Sequence, residues 1–263
     1  MDLLNIAIQA SVEAGKEIMK VYASDFKIET KEDESPLTIA DKRANDIIIS
    51  YLKQTDIPII SEENKQIDFS ERKQWKQCWI VDPLDGTKEF IKRNGEFTVN
   101  VALINNGEPI MGVIYIPDSK TLYFAEIDSK KAFKAQLENH DTALSEIYKN
   151  ASEIAPIKNK DKARIVGSRS HLNEETQKFI DTISENEEVE IVSKGSSLKF
   201  CLVAEGKADL YPRYAPTMEW DTAAGQAICK AVGITVNVLS TNKPLQYNKE
   251  NLLNPWFLVS NRN

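Results

Sequence analysis

A chain of 263 residues, 41% hydrophobic and 28% charged, has the balance of a globular protein and can bury a large core as one domain or two closely packed ones. The formal net charge of -7 excludes a generally basic nucleic-acid-binding surface, so any polyanion must be met by bound metal or by locally clustered Lys and Arg. Three scattered cysteines (Cys78, Cys201, Cys229) and two histidines (His140, His171) exclude a disulfide scaffold and a thiolate–imidazole zinc site; the cysteines read as small buried hydrophobes. Met1-Asp2-Leu3-Leu4-Asn5 lacks the basic-then-apolar order of a signal peptide. No apolar run approaches the roughly 20 residues of a membrane span, which predicts a cytoplasmic protein without membrane insertion.

In chain order, Leu4, Ile8, Val12, Ile18, Met19 and Tyr22 recur at helical spacing and predict a helix over 3–22. Residues 31–36 are charged and then stopped by proline, an exposed loop. A second helix is predicted over 40–54, with Ile47, Ile48, Tyr51 and Leu52 facing inward. A short strand over 57–60 delivers Ser61-Glu62-Glu63-Asn64, and 65–77 is polar and reads as solvated. Trp79-Ile80-Val81 is a buried strand ending at Asp82. Residues 97–105, 109–116 and 121–127 have strand composition and are joined by Asn106-Gly107 and Pro117-Asp118, which predicts an antiparallel meander. Residues 129–162, rich in Lys and Glu, carry no clear period. Beyond them strands (164–167, 189–192, 209–211, 234–238, 257–259) alternate with helices (173–184, 197–205, 221–232). There is no internal repeat. Two α/β layers with a cleft between them are expected, with an N-terminal half (1–150) carrying the acidic motifs and a C-terminal half (151–263) completing the cleft.

Asp82-Pro83-Leu84-Asp85-Gly86-Thr87 is the most informative segment. Two carboxylates lie close together just past an apolar strand. Pro83 restricts the backbone between them, and Gly86 permits a tight turn and close approach of a ligand. Thr87 is placed to open a short helix whose free N–H groups suit a phosphate. Alone, the segment also fits an ordinary turn. Two further segments weigh against that: Glu62 and Glu63 also follow a short apolar strand, and Trp220-Asp221-Thr222-Ala223-Ala224-Gly225 puts an aspartate at the start of an Ala-rich helix, where a plain N-cap is the competing reading. Carboxylates without sulfur or imidazole suit Mg²⁺, and such a set resembles a multi-metal phosphoryl-transfer centre.

The run from Trp79 to Phe90 resembles the first signature of the inositol monophosphatase superfamily, Trp220 to Gly225 resembles its second, and Ser61-Glu62-Glu63 matches the acidic pair ahead of the first. Three further runs, Lys88 to Asn100, Gly167-Ser168-Arg169-Ser170-His171 and Gly195 to Gly206, are similar to the bacterial bisphosphate nucleotidase branch. The resemblance implies a layered α-β-α-β-α sandwich of the α/β (α+β) type. It also implies about two or three Mg²⁺ per site, held by the carboxylates of Glu62, Asp82, Asp85 and Asp221 and the carbonyl of Leu84. Asp41 and Thr87, with Glu62, would orient and activate the attacking water, and the Gly86–Thr87 backbone would cradle the phosphate. The activity implied is lithium-sensitive removal of the 3′-phosphate of adenosine 3′,5′-bisphosphate, or of its sulfated relative, by an in-line attack with no covalent intermediate and no histidine acid.

A nucleotide with a second phosphate needs cations away from the metals. Ser196, Lys199, Arg213 and His171 are the candidates, with Ser196 and Lys199 placed to share a helix face at its N-terminus. Taken singly, Lys199 and Arg213 read as surface charges, and His171 as a cap of the helix near Asn173. The alternatives are inositol monophosphatase or fructose-1,6-bisphosphatase activity on the same centre, and a silent phosphate- or metal-binding regulator. The expected partner is a small nucleotide, not a nucleic acid; no pattern argues for a particular oligomer.

Overall fold

A computed structural model of the chain describes residues 2–30, 36–157, 162–168 and 173–262. Helix α1 (Leu3–Tyr22) starts where the Asp2 carboxylate accepts from the N–H groups of Leu4 and Asn5 at 3.0 and 3.2 Å. A two-stranded ribbon, β1 (Ile28–Thr30) and β2 (Pro36–Thr38), leads into α2 (Ile39–Leu52). That helix begins with a capping box of Thr38 and Asp41.

The chain then builds a large sheet from β3 (Ile59–Ser61), β4 (Gln77–Asp85), β5 (Thr98–Asn105), β6 (Glu108–Ile116), β7 (Thr121–Glu126), β8 (Lys131–Gln136) and β9 (Ser152–Ile154), hydrogen-bonded in that order. Only the β3–β4 pair is parallel. Three short helices sit in its connections: α3 (Phe69–Arg72), α4 (Thr87–Ile91) and α5 (Leu144–Asn150). The predicted meander is β5–β7. The unassigned stretch after it extends the same sheet through β8 and β9, and α3 lies inside the stretch read as solvated, with Arg72 buried.

The remainder forms β10 (Ala163–Ser168), α6 (Glu174–Ser184), β11 (Val189–Lys194), α7 (Leu198–Ala204), β12 (Leu210–Arg213), α8 (Ala223–Ala231), β13 (Thr235–Val238) and β14 (Phe257–Ser260). The strands order as β11-β10-β12-β14-β13. Proline is unusual in an inner strand because it donates nothing to the ladder. Pro212 of β12 is tolerated because the parallel pairing of β12 with β10 is confined to Leu210 opposite Ile165.

Strand parity explains how these parts stack. Successive side chains of β4 point to opposite faces. Trp79 and Val81 pack with α1 and α2, while Cys78 and Ile80 pack with α7, α8 and the smaller sheet. A sheet covered on both faces needs continuous rather than alternating apolar runs, which is what β4–β6 show. Gly15 lets α1 sit against the ring of Tyr115; a Cβ there would collide with it. On the far side of the smaller sheet, Ile180 of α6 packs on Ile165 and Leu210. The result is the expected sandwich: α1 and α2, large sheet, α7 and α8, small sheet, α6. All three cysteines are buried and unpaired. No helix among the described residues is long and apolar enough to cross a membrane.

Candidate metal and phosphate site

Strand β4 does not end at Asp82, as the sequence suggested, but runs on to Asp85. Asp82 pairs opposite Asn100 and Asp85 opposite Thr98, and the register slips between them. Such an irregularity re-aims side chains. Asp82 continues the parity of Cys78 and Ile80 and so points into the layer between the sheets. Its Oδ1 accepts from the Leu84 N–H at 3.0 Å. Glu62 sits at the end of β3, its N–H bonded to the Val81 carbonyl at 3.2 Å.

Asp221 arrives from the other half of the chain. It does not cap α8; Thr222 occupies that position. Asp221 instead closes the 3₁₀ turn Glu219–Asp221, accepting from the Met218 N–H at 2.8 Å. One carboxylate oxygen each from Asp82, Asp85 and Asp221 lie within 4.8 Å of one another. Burial, with the nearby charges of Asp85 and Glu62, pushes Asp221 up to about 8. Burial first, then the charge of Glu62 and those of Asp85 and Asp221, push Asp82 well above the usual carboxylate range. Converging carboxylates with hard oxygen donors fit a divalent cation of the Mg²⁺ kind, whose charge would relieve both effects.

The neighbouring residues are arranged around this cluster. Gly86 takes φ +94°, a left-handed conformation that suits glycine, and a Cβ there would lie 3.1 Å from the Glu96 carbonyl oxygen. Thr87 follows it as the first residue of α4, with its hydroxyl 3.1 Å from Asp41 Oδ1 and 3.4 Å from the Leu84 carbonyl. Asp41 is buried: its Oδ2 accepts from the Thr38 N–H (2.7 Å) and hydroxyl (2.8 Å). Burial raises the Asp41 pKa, against those hydrogen bonds.

Beside the carboxylates lies a cavity of about 160 Å³ lined by Ser196, Lys199, Tyr211 and Arg213. It shares Asp85, Gly86 and Asp221 with an adjoining cavity of about 690 Å³ that also reaches Glu62 and Thr87. Lys199 is buried; its Nζ donates to the Ser196 carbonyl at 2.6 Å and lies 5.4 Å from the centre of the Tyr211 ring. Burial lowers its pKa to about 8, opposed by the charge of Asp85. Ser196 does not share the face of α7. It precedes the helix, at φ +42°. Arg213 donates through Nη2 to the Pro216 carbonyl, and its Nε is buried without an acceptor among the described residues. His171 lies outside the described residues; the cap of α6 is Asn173, which accepts from the Thr176 N–H at 3.0 Å.

Three polar residues of this site were missed by the sequence reading. Thr98 and Asn100 lie on the inward parity of β5, and Ser197 follows Ser196; all three are buried. Two buried polar residues spaced by two in an otherwise apolar strand are the signal that finds Thr98 and Asn100.

The fold thus brings three carboxylates together between its two sheets, in a set that could hold a metal ion. The sequence pattern described as the inositol monophosphatase family matches residues 1–259, and the chain belongs to that family. It is 42% identical over 263 residues to the 3′(2′),5′-bisphosphate nucleotidase CysQ of Shigella flexneri, covering 98% of this chain and 99% of that one. The crystal structure of CysQ from Bacteroides thetaiotaomicron, 48% identical, matches with a TM-score of 0.87 over 98% of this chain and 97% of that one. The Thermotoga maritima IMPase shares the fold at 24% identity, with a TM-score of 0.78 over 99% of this chain and 92% of that one.

Proposed function

We propose that this chain is a Mg²⁺-dependent 3′(2′),5′-bisphosphate nucleotidase of the cytoplasm that hydrolyses the 3′-phosphate of adenosine 3′,5′-bisphosphate. The observation that carries the reading is one cleft with two charge zones. Buried carboxylates converge on one side, while Lys199 and Arg213 stand on the other, Arg213 with a buried N–H that lacks an acceptor among the described residues. A buried donor without a partner costs about 1–3 kcal/mol, and a bound anion removes that cost. A substrate with a phosphate at each end satisfies both zones; a monophosphate satisfies one.

Glu62, Asp82, Asp85, Asp221 and the Leu84 carbonyl hold the metal in this reading. Bound Mg²⁺ would stabilise negative charge on the phosphoryl and leaving oxygens and would make an attacking water more acidic. The protein's own part begins at Asp41. With Oδ2 occupied by Thr38, Asp41 Oδ1 accepts the hydrogen bond of the Thr87 hydroxyl, whose proton stays on Thr87. The Thr87 oxygen is then left as an acceptor for a proton of the attacking water, which orients a water lone pair toward phosphorus. The N–H groups of Gly86 and Thr87 meet the scissile phosphate, and Ser196, Lys199 and Arg213 meet the remote one.

The test is phosphate release with Mg²⁺ from adenosine 3′,5′-bisphosphate, inositol 1-phosphate and fructose 1,6-bisphosphate in parallel. Preference for the nucleotide is expected. Preference for a sugar phosphate would keep the metal centre and remove the nucleotide pocket, and no release from any of them would overturn the enzymatic reading.

A further inference from the structure

Ser197 is buried between the two halves of the site and lies within hydrogen-bond distance of both: of Asp85 and Asn100 on one side and of Asp221 on the other. Its N–H and its hydroxyl both donate to Asp85 Oδ2, at 2.6 and 2.7 Å. The Asn100 amide donates to the same hydroxyl oxygen at 2.8 Å, and the Asp221 carbonyl oxygen lies 3.0 Å from it. A hydroxyl has one proton to give. The choice falls between a carboxylate at 2.7 Å and a peptide carbonyl at 3.0 Å, and the charged, closer acceptor takes it. Asn100 in turn keeps its orientation because its Oδ1 accepts from Thr98 at 3.0 Å.

The polarity of the chain is therefore set from Thr98 through Asn100 and Ser197 to one oxygen of Asp85. That oxygen receives two short donors from a single residue. No hydrogen bond among the described residues reaches the other oxygen, Oδ1. The turn that supplies Ser197 is itself braced: the Gly195 N–H donates to Glu96 at 2.9 Å, Lys194 pairs with the same carboxylate at 3.1 Å, and Lys199 holds the Ser196 carbonyl.

We propose that Ser197 is the positioning residue of Asp85: by occupying Oδ2 it presents Oδ1 to a divalent cation in a fixed direction, and so sets the affinity of the metal site. This rests on the reading of Asp85 as a metal ligand. Partners that orient a ligating carboxylate typically change metal affinity by about 10–100-fold when removed.

The test is Mn²⁺ binding to the full chain without substrate, followed by electron paramagnetic resonance, for the wild type, Ser197→Ala, Ser197→Thr and Asp85→Asn, with thermal melts confirming that each is folded. Ser197→Ala is expected to weaken Mn²⁺ binding about 10–100-fold and to raise the half-saturating Mg²⁺ for phosphate release, with turnover recovering at high Mg²⁺. Ser197→Thr, which keeps the hydroxyl, is expected to restore affinity. If Ser197→Ala binds Mn²⁺ like the wild type while Asp85→Asn does not, the role of Ser197 falls and the metal site stands. If Asp85→Asn also binds normally, Asp85 is no ligand and the metal reading falls with it.

Discussion

Replacing Lys199 with methionine removes an ammonium while nearly preserving length and volume. Burial lowers the pKa of this lysine from 10.5 to about 8, so keeping it charged in the folded protein costs about 3 kcal/mol. The hydrogen bond to the Ser196 carbonyl offsets about 1 kcal/mol of that. Near neutral pH, Lys199→Met is therefore expected to raise the stability of the substrate-free protein by about 2 kcal/mol, several degrees in melting temperature for a chain of this size. Affinity should move the other way. Removing one member of a buried charge pair costs about 2–5 kcal/mol, so KM for adenosine 3′,5′-bisphosphate should rise about 30-fold or more. A substrate without the second phosphate should be hydrolysed as before. Phosphate-release kinetics on adenosine 3′,5′-bisphosphate and 3′-AMP, beside thermal melts, measure both. Equal losses on the two substrates, or a lower melting temperature with unchanged KM, would refute the assignment of Lys199 to the remote phosphate.

The depressed pKa of Lys199 also has a signed pH consequence. Between pH of about 8 and 10.5 the unfolded chain carries the extra proton, so fold stability gains from this group as pH rises through that window, and a denaturation series in Lys199→Met should lack the gain. Asp85→Asn should keep the fold and lower turnover by orders of magnitude; near-normal phosphate release would remove Asp85 from the metal site. Gly86→Ala places a Cβ at φ +94° and 3.1 Å from a backbone oxygen, and should cost about 1–3 kcal/mol of stability as well as activity, read by melts and kinetics together. Lys249→Met leaves the fully buried Glu219 carboxylate, among the described residues, with the N–H groups of Asn248 and Lys249 at 2.6 and 3.0 Å. A loss of about 2–3 kcal/mol in chemical denaturation is expected.

The parts legible in the sequence were those with strong local chemistry. The period of Leu4, Ile8 and Val12, the Asn106-Gly107 turn and the paired carboxylates around Pro83 each act within a few residues, and they appear as α1, the β5–β6 turn and the convergence of Asp82 and Asp85 with Asp221. Strand β8 was not legible. Lys131-Ala132-Phe133-Lys134-Ala135-Gln136 is poor in β-branched residues and buries only Ala132 and Ala135, so its strand conformation comes from pairing with β7 rather than from propensity. Arg72 was read as solvated because arginine usually is. It is buried because its guanidinium meets Asn248 Oδ1 and the carbonyls of Lys249 and Glu250, partners far away along the chain. Ser197 was invisible for the same reason: its partners are Asp85, Asn100 and Asp221, each from a different segment.

That long-range wiring bears on how a chain of net charge -7 accepts a polyanion. Global charge would repel a bisphosphate at long range, and salt screens such repulsion within about 8–10 Å. The local field is decided inside the cleft, where Arg213 lies close enough to Lys199 to lower the lysine pKa further, and where burial with the charges of Asp85 and Glu62 raises the Asp221 pKa. Each zone alone is unfavourable: like charges crowd together in a buried setting. In the proposed function a metal would neutralise one, a phosphate the other, and a nucleotide with two phosphates would reach both. Asp85 faces the two cavities at once, and its neighbour across the site, Ser197, sits in the turn between Lys194 and Lys199 that borders the cationic zone. If the proposed roles hold, substrate selection and metal binding share one short segment, so a change made there for one purpose is expected to alter the other.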